Sequence, residues 1–205
     1  MTRAAAAIAT ACACHFPAPS TVSARRKSNQ NTMKHTALFA ALLALRLTLL
    51  AEPVKVGSSQ VTFEAPEGFK PLSKEMIATK WPSNQAPAYA VGTPSGTTTV
   101  AYDLKPHAIP QEALPEVQKT FTQLFERMIP GIQWKKNEII EHSGQKWLLM
   151  EMTSNAIDTN IYNMLLLTGH EGKMLVFNFN STKEDFPKYE AALRKSLKSV
   201  TIPPK

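Results

Sequence analysis

Three histidines, His107, His142 and His170, are the side chains of this sequence best suited to moving a proton or holding a metal. Histidine changes charge near neutral pH and is the commonest metal ligand. Gathered in space, the three could serve a small hydrolase. Their local settings argue otherwise. His107 precedes Ile109-Pro110, His142 precedes Ser143-Gly144, and His170 sits between Gly169 and Gly172. These are strand ends and turns, and no two of the three show ligand spacing. Glu138-x-x-Glu141-His142 resembles part of a zinc-protease motif, but the first histidine of the inverted pattern is missing. On a strand, Glu138 and His142 would share one face and Glu141 the other. There is no G-x-S-x-G, no P-loop and no G-x-G-x-x-G. Cys12 and Cys14 are the only cysteines, so residues 52–205 have no thiol nucleophile, disulfide or thiolate site. The expectation is a protein that is not an enzyme, with no catalytic residue, no metal ligand and no cofactor.

Recognition chemistry is the alternative. Trp81, Trp134 and Trp147, with Tyr89, Tyr102 and Tyr162, are the candidate aromatic anchors. Trp81 stands out, because it follows a short predicted helix and precedes Pro82 in a polar stretch. It is the one residue singled out as a possible partner contact. The competing use is to close the core under a loop. Met150, Met152 and Met164 could floor an adaptable groove, although buried packing is the more ordinary role. Asn180-Ser181-Thr182 is a glycosylation sequon at a predicted strand end, where turn and capping oxygens are the simpler use.

The charge balance narrows the partners. The chain has 205 residues, 23 Lys+Arg, 16 Asp+Glu and a formal charge of +7. Six of the basic residues and none of the acidic ones fall in 1–51, so the remaining 17 face 16 acids. The surplus belongs to a leader. Without clustered excess cations the body has no nucleic-acid footprint.

That leader reads as two pieces. Residues 33–51 (MKHTALFAALLALRLTLLA) carry a positive start, an apolar run and Ala51 before Glu52-Pro53, the layout of a secretory signal peptide. The run before Arg46 is too short to span a bilayer, so no stable membrane span is expected after cleavage. Residues 1–32 read as an upstream extension outside the native protein, since a full signal begins at Met33. An organelle transit peptide is the other reading, and would place the protein in a chloroplast thylakoid lumen. The expected location is otherwise periplasmic or secreted, with 52–205 forming one domain.

Val61, Phe63 and Ala65 alternate with Thr62 and Glu64, the period of a half-buried strand. Ser73 is a good N-cap, and Leu72 with Ile77 fits the hydrophobic staple of a helix over 74–80. Residues 88–93 and 97–104 flank Pro94-Ser95-Gly96 as a hairpin. Leu114, Val117, Phe121, Leu124, Phe125 and Met128 mark the clearest helix, bounded by Pro110 and Pro115 at one end and Pro130-Gly131 at the other. Four strands in series then fill 134–181. In the second, Trp147 and Leu149 oppose Leu148, Met150 and Met152. The apolar run 164–167 implies a strand covered on both faces. Leu175, Phe177 and Phe179 should face the core, with Asn178 and Asn180 pointing away. A last helix begins near Asp185 and buries Phe186, Tyr189, Leu193 and Leu197. This order is that of an α+β fold, an antiparallel sheet flanked by helices.

The opening VTFEAPEGFKPLS and the closing LLLTGHEGKMLVFNFNSTKEDFPKYEAALRKSLKSVTI resemble the entry strand and the last hairpin and helix of PsbP-like and DcrB-like domains. The resemblance implies an α/β/α sandwich. Its members include extrinsic photosystem II subunits, bacterial envelope proteins and a Ran-binding import factor, which share partner binding rather than a catalytic residue. The expected function is therefore a non-catalytic binding or assembly factor of the cell envelope, whose partner is an envelope protein. A carrier or chaperone for an apolar ligand or segment, held near Trp147 and Met150, is the alternative. The histidine hydrolase is the second.

Overall fold

The structure, a computed structural model, describes residues 52–82, 86–156 and 159–204. The leader, with the signal-peptide reading of 33–51, lies outside the described residues. Two short strands, β1 (Val54–Lys55) and β2 (Thr62–Phe63), pair antiparallel as a ribbon. β3 (Lys70–Pro71) is followed by α1 (Lys74–Lys80), β4 (Tyr89–Gly92) and β5 (Thr98–Lys105). A single 3₁₀ turn, Gln111–Ala113, leads into α2 (Leu114–Met128). The meander β6 (Gln133–His142), β7 (Gln145–Asn155), β8 (Asn160–His170) and β9 (Lys173–Thr182) ends in α3 (Phe186–Lys198).

The main sheet is antiparallel at every pairing, in the order β3-β4-β5-β9-β8-β7-β6. The last meander strand thus docks against the first hairpin, and α2 carries the chain from the middle of the sheet to its far edge. Each face is covered. On one, Leu114, Val117, Phe121, Leu124 and Phe125 of α2 pack on Leu148, Met150, Met152, Leu165, Leu167, Met174 and Val176. On the other, α3 and the β1–β2 ribbon cover Trp147, Leu149, Met164, Leu166, Leu175, Phe177 and Phe179. This is the α+β sandwich expected, and β8 is buried on both sides as its apolar run implied.

Local signals explain the elements. Met76 N donates to the Ser73 side chain at 3.2 Å, so Ser73 caps α1. Leu72 and Ile77 both pack against one small buried cluster of Trp81, Ala90, Ala101 and Ile161. Gly131 takes φ 64° just after α2 and turns the chain toward β6. Three expectations need correction. Met128 is 46% exposed, and Ile129, extended rather than helical, takes the last buried position. The four meander strands fill 133–182 rather than 134–181, the backbone ladder running one residue past each end of the apolar pattern. Asn178 and Asn180 do point away from the α3 core, yet they are buried rather than wet. Asn180 donates to Asn163 Oδ1 at 2.7 Å inside the second layer.

Candidate functional site

β5, β6 and β8 run in the same direction, so their C-terminal ends meet one end of the sheet. His107, His142 and His170 therefore share that end. Strand spacing keeps them apart: β6 and β8 are two strands from each other, about 10 Å, and β5 lies four from β6, about 19 Å. Among the described residues no group of three His, Cys, Asp or Glu gathers to hold a metal ion.

The ends of β6–β7 and β8–β9 are two-residue turns with both residues at positive φ: Ser143 47° and Gly144 75°, Glu171 48° and Gly172 70°. Such turns match strand twist, and glycine in second place makes them accessible. Between them a cleft of about 750 Å³ opens, lined by both turns, Gln60, Gln111, Gln145, Gly169 and the tail Ile202–Pro204.

Its walls are built by side chains that replace a missing stretch of ladder. Past Leu148–Leu167 the β7–β8 pairing runs out, and Gln111 fills the gap. Its Oε1 accepts from Lys146 N at 2.8 Å, and its Nε2 donates to Thr168 Oγ1 at 2.9 Å. Gln145 Nε2 donates to the same oxygen at 2.9 Å, and Thr168 Oγ1 donates to Lys146 O at 2.8 Å. Thr168 is fully buried, and its hydroxyl is thereby satisfied as donor and acceptor. The segment carrying Gln111 passes so close that Ile109 O touches the space a Cβ on Gly169 would need.

The opposite wall is the C-terminal tail. His142 Nε2 donates to Val200 O at 2.7 Å, and since a carbonyl only accepts, this fixes the proton on Nε2. Ile202 N donates to Ser143 Oγ at 2.7 Å, and Ser143 Oγ reaches Ile202 O at 3.3 Å. Trp147 Nε1 donates to His142 O at 2.8 Å and packs edge-on against its ring. His142 is thus a strut between the β6–β7 turn and the tail. His170, whose side chain is 9% exposed, keeps a buried Nε2 with no hydrogen-bond partner, Glu171 being 3.8 Å away. His107 is exposed on the β5–α2 segment and belongs to a different pocket.

A second constellation lies on the α3 face. Glu151, 1% exposed on β7, receives Arg194 Nη1 and Nη2 of α3 at 2.9 and 3.0 Å. Tyr162 OH donates to it at 3.0 Å, and Lys136 Nζ stands 3.8 Å away. Burial raises the proton affinity of Glu151, but Arg194, Tyr162 and Lys136 outweigh it and hold the carboxyl below its ordinary value. Burial, then the charge of Glu151, pushes Tyr162 up to about 12. The same ring stacks on Phe186 at 3.6 Å between centroids. Every strong donor here has its acceptor, so the cluster is a clamp of α3 on the sheet.

The recognition candidates divide. Trp81 is 1% exposed and packs with Ala90, Ala101 and Ile161, the core-closing position. Met150, Met152 and Met164 are fully buried and form no groove. Met150 and Trp147 lie on opposite faces of the sheet, which removes the expected carrier site beside that pair. In the sequon, Asn180 is fully buried, and Thr182 Oγ1 accepts from Asp185 N at 3.1 Å, a turn role. The Gln111 bridge and the tail strut were missed in the sequence, since nothing near Gln111 marks it as a partner for residues 35 and 57 positions on.

No protein-family model matches the sequence, and no curated protein matches it. Solved structures do. Cyanobacterial PsbP (CyanoP) from Synechocystis sp. PCC 6803 is similar at 10% identity over 70% of this chain and 86% of its own, with a TM-score of 0.51. LpqN, involved in cell envelope biogenesis of Mycobacterium tuberculosis, is similar at 15% identity over 74% of this chain and 90% of its own, with a TM-score of 0.50. At such identities the likeness is one of fold, and that fold is PsbP-like. Among the described residues no helix is long and apolar enough to cross a membrane.

Proposed function

From a PsbP-like fold with both sheet faces covered, we propose an exported, non-catalytic binding or assembly factor of the cell envelope. The observation that carries this reading is the cleft at the end of the sheet. It is an outward-facing feature built from two hairpin turns and a strapped tail, with Gln111, Gln145, His142 and Ser143 holding those parts in register. A surface pre-shaped by rigid turns suits docking, because little ordering remains to oppose association. The similarity to LpqN, described as involved in cell envelope biogenesis, supports the compartment. The signal-like leader supports it independently. Against the histidine hydrolase, His142 is committed to a main-chain carbonyl, and His107 and His170 lie in different pockets.

The partner is an envelope protein, and the contact is the rim made by Gln60, Glu171, Pro203 and Pro204. Affinity capture from envelope extract with the full-length protein, compared with its Glu171→Arg variant, tests the reading. A partner retained by the parent and lost by the variant supports it. Turnover of a generic ester or peptide substrate that fails in His170→Ala sinks it. Mass spectrometry of protein recovered from the envelope should show an N-terminus near Glu52. A cytoplasmic product that retains Met33 would remove the export half of the proposal.

A further inference from the structure

One ring nitrogen at the cleft is bonded to nothing. His170 closes β8 and lines the cleft, and its side chain is 9% exposed. Its Nε2 is shut off from solvent and has no hydrogen-bond partner. A polar atom buried in that state costs free energy, so a native fold keeps few of them and each calls for a cause. The carboxylate of Glu171 stands close, with Oε2 3.8 Å from that nitrogen, beyond hydrogen-bond reach. It is 65% exposed and has no other partner among the described residues. The backbone holds both groups in place, since His170 pairs with Lys173 across the β8–β9 turn and Glu171 takes φ 48° within it. The rest of the lining is neutral. Among the described residues it adds glutamine amides, the Ser143 hydroxyl and the Ile202–Pro204 tail, with no Lys or Arg. Lys173 is exposed and lies outside that lining.

We infer that an arginine side chain of the envelope partner enters the cleft and lies between His170 and Glu171. The inference rests on the binding-factor reading and names the group by which the partner is held. As the guanidinium arrives, the exposed Glu171 side chain swings outward with it and opens the way to the ring. One N–H goes to the carboxylate and another to Nε2 of neutral His170, whose proton then sits on Nδ1. Arginine is favoured over lysine because its planar fork offers donors on separate nitrogens and gives up water more readily. Its apolar stem has Pro203 and Pro204 to lie on. An acidic group attracted by Lys173 is the rival occupant, and Glu171 repels it.

NMR titration of the full chain, following the His170 ring and the backbone amides of 169–172, tests this with capped amino acids as probes. N-acetyl-arginine amide should shift these signals saturably, with a dissociation constant on the order of 1 mM. N-acetyl-citrulline amide has nearly the same shape without the charge, N-acetyl-lysine amide carries a compact charge, and N-acetyl-glutamate amide carries the opposite one. All three should bind at least about threefold more weakly. Glu171→Gln should weaken the arginine probe by about threefold to tenfold. His170→Phe should weaken it as well while keeping or raising the melting temperature, because it removes a buried atom that nothing bonds. If His170→Phe fails to fold, Glu171→Gln, a change at an exposed position, still decides the question. No saturable shift with the arginine probe, equal binding of any other probe, or arginine binding untouched by Glu171→Gln overturns the inference. The titration needs no partner, so the two claims separate. A partner captured from envelope extract without arginine binding sinks this inference alone, and arginine binding without a captured partner sinks the binding-factor reading alone.

Discussion

Arg194 and Glu151, 43 residues apart, meet in a two-pronged ion pair that fastens α3 to β7. The carboxylate is buried and the guanidinium is one-third exposed. A charge taken out of water at this cost needs its partner, and removing one side leaves the other stranded.

Arg194→Ala should therefore destabilise the fold by about 3 kcal/mol, at the lower end for broken buried pairs because Lys136 stands close. The pair also sets the acid response. The folded state holds the Glu151 carboxyl below its ordinary value of 4.5, so it binds that proton more weakly than the unfolded chain does. The contribution is complete above the unfolded value and is lost as pH falls through the lower folded value. Urea unfolding at about pH 7, 5 and 3 should show the parent losing more stability below pH 5 than Glu151→Gln does.

Tyr162 reports on the same cluster. With its half-buried ring holding the hydroxyl against Glu151, and its pKa pushed up to about 12, it should still be protonated where an ordinary tyrosine has ionised. In spectrophotometric titration Glu151→Gln should lower that late step. Because the folded pKa is raised, the stability it contributes is present below about pH 10 and fades as alkali passes the folded value. An unchanged late step in Glu151→Gln would dissociate the hydroxyl from the carboxylate.

Phe121→Ala should cost about 3–5 kcal/mol, since the ring is 3% exposed between α2 and the sheet. Lys183→Ala, an exposed position, should stay within about 0.5 kcal/mol. Chemical denaturation of both gives the comparison, and equal losses would break the assignment of faces.

At the cleft the two hairpin positions should respond in opposite directions. Gly169→Ala drives a methyl into Ile109 O and should destabilise by about 2–4 kcal/mol. Glu171 sits at φ 48° ahead of Gly172, so Glu171→Asn should stabilise by about 0.5–1 kcal/mol, asparagine being at ease there. Melting temperatures of the two variants settle both signs.

Much of this architecture could be read along the chain, because its signals are local. Ser73 caps α1 through a residue three positions on, and the stripe from Leu114 to Phe125 defines a helix face by its own period. Gly144 and Gly172 announce two-residue turns wherever the chain goes. Alternation also set which residues oppose each other in β7, with Trp147 and Met150 on different sides. Periodicity does not say what covers each side. Asn178 and Asn180 look like solvent-facing residues in β9, and only the folded structure buries them.

What tertiary structure decided is everything that depends on strand order. Docking β9 between β5 and β8 put three histidine-bearing strand ends at one edge of the sheet while holding them strands apart, and no spacing in the sequence encodes that distance. It brought Gln111 into the gap between β7 and β8, and His142 against a tail 58 residues away. It also buried Trp81, whose neighbours in sequence are polar but whose neighbours in space are Ala90, Ala101 and Ile161. The sequence by itself determined the turns, the helix faces and the period of each strand, since those rest on contacts within a few residues. The cleft and the clamp rest on contacts between distant elements, whose geometry exists only once the sheet has closed.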